Sequence, residues 1–208
     1  MNYLVKRIQN AAEIESCERF EINHYLWNSK CRPKTHGWLG YIENKGLYVK
    51  MVCEETDPKR LFQNHRDMVC KDSAMEIFLA FTEDGEDLSN DSMYINLEVN
   101  SNGAMYANYG KGRKNRVFLT DEEYEATGVK AVIEEDSWYL ELLVPEEVLN
   151  SICDFDAVKA GKHFYCNFYK IAEDDKCLHF GAFSPIDNPT PNFHLPVFFA
   201  EAVIDCRE

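Results

Sequence analysis

The segments Asp72-Ser-Ala-Met-Glu-Ile-Phe-Leu-Ala-Phe81 and Tyr94-Ile-Asn-Leu-Glu-Val-Asn100 change character at every second residue. That is the period of a β-strand and not of a helix. In the first, Met75, Ile77, Leu79 and Phe81 share one face; in the second, Ile95, Leu97 and Val99 do so. The opposite faces carry Glu76 in one segment and Asn96, Glu98 and Asn100 in the other. Each strand therefore sets a carboxylate on the side away from its main apolar row. A sheet face that joins carboxylates, amides and aromatic rings suits a neutral, hydroxyl-rich ligand.

Outward from these strands the chain reads as a series of hairpins. Trp38–Ile42 and Leu47–Cys53 flank a turn at Glu43-Asn-Lys-Gly46, with Gly46 supplying the left-handed position. Met93–Val99 and Ala104–Tyr109 flank Ser101-Asn-Gly103, and Asn-Gly is a strong hairpin signal. Val129–Glu134 and Trp138–Val144 form a third pair. Thr120 with Glu123 three residues on has the spacing of a helix capping box, and Pro145 opens a short helix over Glu146–Ile152. His163–Ile171 and Val197–Ile204 read as late strands, and the proline-bearing Ala182–Pro196 between them reads as a loop. Short strands at close spacing, with small helices in the connections, predict an all-β chain folded as an antiparallel β-sandwich. No composition break divides residues 1–208, so a single domain is expected.

The 208 residues carry 22 basic and 36 acidic side chains, a net charge of −14. Such a surface repels phosphate backbones and anionic lipid, which argues against nucleic acid and membrane as partners. No apolar run approaches the length of a membrane span, and the opening residues lack the apolar core of a signal peptide, so the expected location is cytoplasmic. None of the eight cysteines forms a C-x-x-C pair, and most read as reduced, buried apolar residues.

The order of several pieces resembles family 9 carbohydrate-binding modules. These pieces are Asp72–Phe78, Tyr94–Gly103, Trp138–Leu149, Asn167–Lys170 and Phe193–Phe199. The resemblance implies a DOMON-like sandwich with immunoglobulin-like layers that binds a mono- or oligosaccharide in a cleft on one sheet face, without cleaving it. Modules of this kind are often attached to glycoside hydrolases and serve carbohydrate catabolism. In this chain the implied contacts are Glu76, Asn96 and Glu98 on the sheet, with Arg113, Asn167, Tyr169 and Phe183 around them. Family members hold a sugar between two tryptophans. No aromatic stands in Met68-Val-Cys-Lys-Asp72, so Phe183 is expected to replace an indole, while Trp138 reads as core and Trp38 as a cleft-rim candidate. A small saccharide is thus the expected partner, and no cofactor is expected.

Three alternatives stay open. Glu76 and Glu98 on neighbouring strands meet the carboxyl spacing of an O-glycosyl hydrolase. A protein-interaction sandwich that has lost its sugar site is the second. The third concerns calcium: some family members carry it, and the acidic runs Glu83–Asp87 and Glu173–Asp175 supply oxygen ligands without the EF-hand spacing. Haem ligation by Met51, Met75 or Met105 is disfavoured, since each falls in an apolar strand pattern. No G-x-S-x-G elbow and no P-loop is present.

Overall fold

The computed structural model describes residues 2–174 and 176–207. The first half of the chain forms β1 (Asn2–Arg7), β2 (Arg19–Glu21), β3 (His24–Tyr25), β4 (Thr35–Ile42), β5 (Gly46–Cys53), β6 (Ser73–Phe81), β7 (Met93–Asn100) and β8 (Met105–Lys111). After β9 (Val117–Phe118) come α1 (Asp121–Ala126), β10 (Lys130–Ile133), β11 (Trp138–Pro145) and α2 (Glu146–Cys153). The chain closes with β12 (His163–Ala172), β13 (His179–Ala182) and β14 (Ala200–Ile204). The strand expected over Val197–Ile204 begins later, because Pro196–Phe198 makes a 3₁₀ turn with proline at its start. Proline has no N–H to give a ladder and fixes the φ that such a turn needs.

Strand order is β10-β11-β5-β4-β1-β14-β12-β6-β7-β8-β9, with β13 beside β12, β3 beside β13 and β2 beside β4. Among the described residues only β1 pairs in parallel, with β14 through Asn2–Val5 and with β4 through Lys6 and Arg7. It links the two layers, and every other pairing is antiparallel. The layers close face to face over one core. Leu39, Val49, Met51, Leu140 and Leu142 enter it from one side; Met75, Ile77, Leu79, Ile95, Leu97, Val99 and Phe168 enter from the other, all at most 1% exposed. Met105 is equally buried, so all three methionines weighed for haem are core residues.

Local chemistry sets the corners. In the β4–β5 turn Asn44 takes the left-handed conformation at φ 59°, while Gly46 sits at φ 132° for a different reason. A Cβ on Gly46 would lie 2.1 Å from the Val144 carbonyl, so glycine lets β11 and α2 approach. Thr120 and Glu123 complete the capping box of α1, with the Glu123 N–H donating to Thr120 Oγ1 at 3.2 Å and the Thr120 N–H donating to Glu123 Oε2 at 2.7 Å. Cys17, Cys53 and Cys166 are buried thiols, whereas Cys31 and Cys177 are joined by a disulfide that ties the segment before β4 to the one before β13.

Replacing Gly46 by alanine forces a side chain against backbone at an unfavourable φ. The expected cost is roughly 2–4 kcal/mol, read as a lower urea midpoint at unchanged slope. An unchanged midpoint would show that β5 and β11 tolerate separation there.

Candidate functional site

The pairing of β12, β6, β7 and β8 lines up Tyr169, Glu76, Glu98 and Tyr106 as successive cross-strand neighbours. All four belong to the outer face of this layer, since the residues flanking each in sequence enter the core or its inner face. Glu76 and Glu98 are directly opposed, which brings their Cβ atoms within about 5 Å. They are only 2% and 7% exposed, yet both line a cleft of about 190 Å³. Glu98 Oε1 accepts a hydrogen bond from Asn96 Nδ2 at 2.9 Å. The Glu76 carboxyl has no hydrogen-bond partner among the described residues.

Burial pushes both acids above the ordinary carboxylate range, Glu98 to about 7, and repulsion by Glu98 raises Glu76 further. Two buried carboxyls at this separation favour a state that keeps one proton between them. The nearby cations Lys170, Arg113 and Arg116 draw these values down, but burial outweighs them. Arg116 is spent on the protein: its guanidinium donates to Asn96 Oδ1 (3.0 Å), Asn108 Oδ1 (2.7 Å) and the carbonyls of Tyr94, Asn108, Gly110 and Gly112, and it lies 3.7 Å from the Tyr94 ring. Lys170 points to the other side of β12, where Glu55 Oε2 (3.5 Å), Ser73 Oγ and His179 Nε2 surround it.

The walls come from loops. The β3 strand ends in a turn closed by the Ser29 N–H donating to the Leu26 carbonyl, with Trp27 (φ 48°) and Asn28 (φ 62°) both left-handed. This is a type I′ turn with tryptophan where asparagine or glycine is usual. Positive φ on a bulky residue is costly and persists where surroundings enforce it. Here Trp27 Nε1 donates to the Asn188 carbonyl at 2.6 Å, and the indole meets Phe180 edge-on at 5.6 Å and Phe193 at 5.5 Å. Trp27, Phe180 and Phe193 line the cleft together. His194 lines it too, and burial beside Arg116 lowers its pKa to about 3, so the ring is neutral. The Tyr94 hydroxyl donates its proton to the Gly112 carbonyl at 2.7 Å. His194 Nδ1, 2.9 Å from the same oxygen, is therefore the donor of that contact.

Of the residues singled out from sequence, Glu76, Glu98 and Arg113 line the cleft. Arg113 is exposed and makes no hydrogen bond or ion pair among the described residues, so its guanidinium is free at the rim. Asn96, Asn167 and Tyr169 belong to the same sheet face but lie beneath the cleft lining, each fully buried. Asn96 bridges Arg116 to Glu98. Asn167 is fixed to both backbone groups of Ser184 at 2.8 and 3.1 Å. Tyr169 is covered by Phe193, stacked at 4.0 Å and 8°. Phe183 lies on the other side of the sheet, packed among Tyr3, Phe20 and Phe168 in the core. Strand β13 explains this: Phe180 is opposite Ile171 on the cleft side, and alternation sends position 183 inward.

Trp138 is a fully buried core residue, its Nε1 donating to Glu55 Oε2 at 3.1 Å. Trp38 packs near Ile8 and Ile42 in a separate small cluster away from the cleft. The acidic runs do not gather as ligands. Asp84 pairs with Lys162 at 2.7 Å and Asp174 with Lys59 at 2.9 Å, while Asp175 lies outside the described residues. Among the described residues no group of three His, Cys, Asp or Glu side chains is arranged to hold a metal.

The profile of carbohydrate-binding family 9 matches residues 7–204. No curated protein matches the chain. Among solved structures, a candidate carbohydrate-binding protein from Bacteroides uniformis is 20% identical over 98% of this chain and 99% of its own, with a TM-score of 0.79. A family 9 carbohydrate-binding module from Caldicellulosiruptor kristjanssonii in complex with glucose is 13% identical over 100% of this chain and 97% of its own, with a TM-score of 0.69. One from the same organism in complex with cellotriose is 13% identical over 100% and 95%, with a TM-score of 0.66. At these identities the likeness is one of fold.

The opposed acids predict a pH signature. Their raised pKa values mean that the native state holds more protons than the unfolded chain above the free carboxylate value of 4.5, so stability falls as pH rises through the native values. The buried neutral His179 and His194 act in the opposite sense, but only below the free imidazole value of 6.5. From about pH 6.5 to 8 the wild type should therefore lose stability, and Glu76→Gln should lose less, by on the order of 1–2 kcal/mol. Urea midpoints measure this, and a protonated-carboxyl infrared band near neutral pH, weaker in Glu76→Gln, checks the cause. Stability that stays level in both proteins would remove the shared proton.

Proposed function

The chain belongs to carbohydrate-binding family 9, and on that premise we propose that it binds a mono- or short oligosaccharide in the Glu76–Glu98 cleft without cleaving it. The observation that carries this reading is the pair of buried, opposed carboxyls with unspent oxygens at the foot of an aromatic-walled cleft. A sugar needs both parts. Its C–H face packs on Trp27, Phe180 or Phe193, and its hydroxyls find a carboxylate acceptor, a carboxylic-acid donor and the free Arg113 fork. A net charge of −14 does not oppose a neutral ligand. The family neighbours in complex with glucose and cellotriose support the same class of ligand. The binding unit is taken as the whole of residues 1–208.

The arrangement disfavours hydrolysis. A glycosidase sets its two carboxyls on either side of the scissile bond. Glu76 and Glu98 rise side by side from one floor, and the third acid that lines the cleft, Glu173, is exposed and raises the pKa of both by repulsion.

Affinity should be modest, roughly micromolar to millimolar, because few contacts offset the loss of translational freedom. Calorimetric titration with a mono- and disaccharide panel should give saturable heat. Glu98→Ala should weaken binding about ten- to a hundredfold, the range for a hydrogen bond to a charged group. Trp27→Ala should weaken it about tenfold through the lost wall. Aryl glycosides incubated with the protein should release no product. Heat that is absent for every sugar, or indifferent to Glu98→Ala, would count against the proposal.

A further inference from the structure

The acids at the foot of the cleft hold more acceptors than the protein satisfies. Glu98 spends Oε1 on Asn96, and its Oε2 has no hydrogen bond among the described residues. Glu76 spends neither oxygen, although the side chain is only 2% exposed. Among the described residues Ser101 Oγ alone is a sealed side-chain polar atom without a partner, so the Glu76 oxygens open into the cleft that this side chain lines. Two directly opposed carboxyls thus present three oxygens to which the protein gives no donor. A third acid, Glu173, stands at the rim. It is exposed, lines the same cleft, and its backbone N–H donates to the Cys70 carbonyl at 3.0 Å. None of the three acids has an ion pair among the described residues.

The cations of the protein do not answer them. Arg116 is consumed by Asn96, Asn108 and nearby carbonyls, and Lys170 lies on the opposite face with Glu55, Ser73 and His179. Arg113 is an exposed side chain at the rim, where water screens its charge. The remaining titratable groups bring no charge. Burial keeps the Cys70 thiol and the Tyr106 and Tyr169 phenols protonated, and it keeps His194 neutral. An acid pair so placed holds a proton for want of another partner. Around it Trp27, Tyr106, Phe180 and Phe193 complete the lining, and ring faces attract a cation. A net charge of −14 draws cations toward the chain as well.

Resting on the sugar-binding reading above, we propose that the cleft selects an amino sugar with an unacetylated ammonium group, held by Glu76 and Glu98 with Glu173 at the rim. An ammonium carries three donors and no acceptor, which matches the three open oxygens of the opposed acids. A hydroxyl offers a single donor. The ammonium takes the place of the proton that the acid pair holds. That proton leaves to solvent, both carboxylates are then charged, and no bond of the sugar is made or broken. The C–H face of the ring packs on the aromatic wall. An anionic sugar would pair with Arg113 instead and would have to face three acids, and the test separates the two.

Calorimetric titrations at about pH 6.5, below the range of a free amine, would compare glucose, galactose and mannose with glucosamine, galactosamine and mannosamine. N-acetylglucosamine and glucuronate complete the panel. For the ring that binds, the amino form should be favoured over its neutral parent by about tenfold or more, the worth of a charge-assisted hydrogen bond. N-acetylglucosamine, which keeps the substituent without its charge, should bind no better than glucose. Titrations in phosphate and in MOPS, which differ in ionisation enthalpy, should show release of about one proton with the amino sugar and none with the parent. Glu76→Gln should bring the ratio of the two affinities below about twofold and end the proton release. Glu173→Gln, at an exposed position, should lower the ratio by about twofold, and it serves the comparison should Glu76→Gln fail to fold. Amino sugars that bind no better than their neutral parents overturn the ammonium site and leave the sugar-binding reading standing. So does a ratio that survives both substitutions. Tightest binding by glucuronate assigns recognition to Arg113 and overturns the proposal. Absence of binding to every probe by the wild type overturns both readings.

Discussion

Two carboxyl side chains face each other across one antiparallel pair, with no cation spent on them. This opposition costs stability, because like charges directly opposed on a sheet repel and burial disfavours their charged forms. The surroundings define the site in relation to that cost. Asn96 fixes one oxygen of Glu98, and Arg116 fixes Asn96, so Glu98 is oriented from behind without being neutralised. Glu76 has no such support. The pair therefore has one clamped member suited to accepting a hydrogen bond and one loose member suited to carrying the proton. A ligand hydroxyl, which both donates and accepts, satisfies the two at once.

The aromatic side of the cleft depends on a different economy of structure. Its rings are supplied by irregular segments, and each ring is held by the next. Tyr169 is the foundation, since it rises from β12 and Phe193 stacks upon it. Phe193 and Phe180 in turn position Trp27, whose indole N–H is anchored to the Asn188 carbonyl. The strained turn at Trp27 and Asn28 is tolerated because its next residue is tied down: Ser29 Oγ donates to the Leu26 carbonyl and accepts from the Phe180 N–H. The wall is built inward from the sheet, and the residue that reaches furthest over the cleft carries the least favourable backbone.

This division explains what the sequence made legible. Period-two alternation in β6 and β7 established the strands, their paired register and the shared face of Glu76 and Glu98, because parity in a regular strand leaves no freedom of side. The capping box of α1 and the Asn-Gly hairpin were equally readable, since their chemistry is local. Parity fails in irregular chain. Phe183 reads from sequence as a cleft residue because β13 is too short to show its alternation, and that four-residue strand turns position 183 inward. Arg113 and Arg116 are indistinguishable in sequence, and only the closure of the β8–β9 loop decides that Arg116 turns inward while Arg113 stays free. Asn96, Asn167 and Tyr169 share the correct face, but a residue's face does not reveal what covers it. Trp27 gave no signal, as its neighbours lie more than 150 positions away in the chain.

The same parity keeps the site chemically alive. Lys170 is a buried cation on the strand that adjoins Glu76, one residue from Tyr169, the cross-strand partner of Glu76. Its own partner is Met75, so alternation sends it inward, toward Glu55, Ser73 and His179. A slip of one residue between β12 and β6 would set Lys170 opposite Glu76 and form an ion pair at the floor of the cleft. The slip is forbidden because it would also turn Phe168 out of the core and Tyr169 into it. Burial of the apolar rows therefore does more than hold the sandwich together. It sets a buried lysine and two buried acids on opposite faces of one sheet, giving each its own polar neighbourhood and leaving the acids without an ion pair.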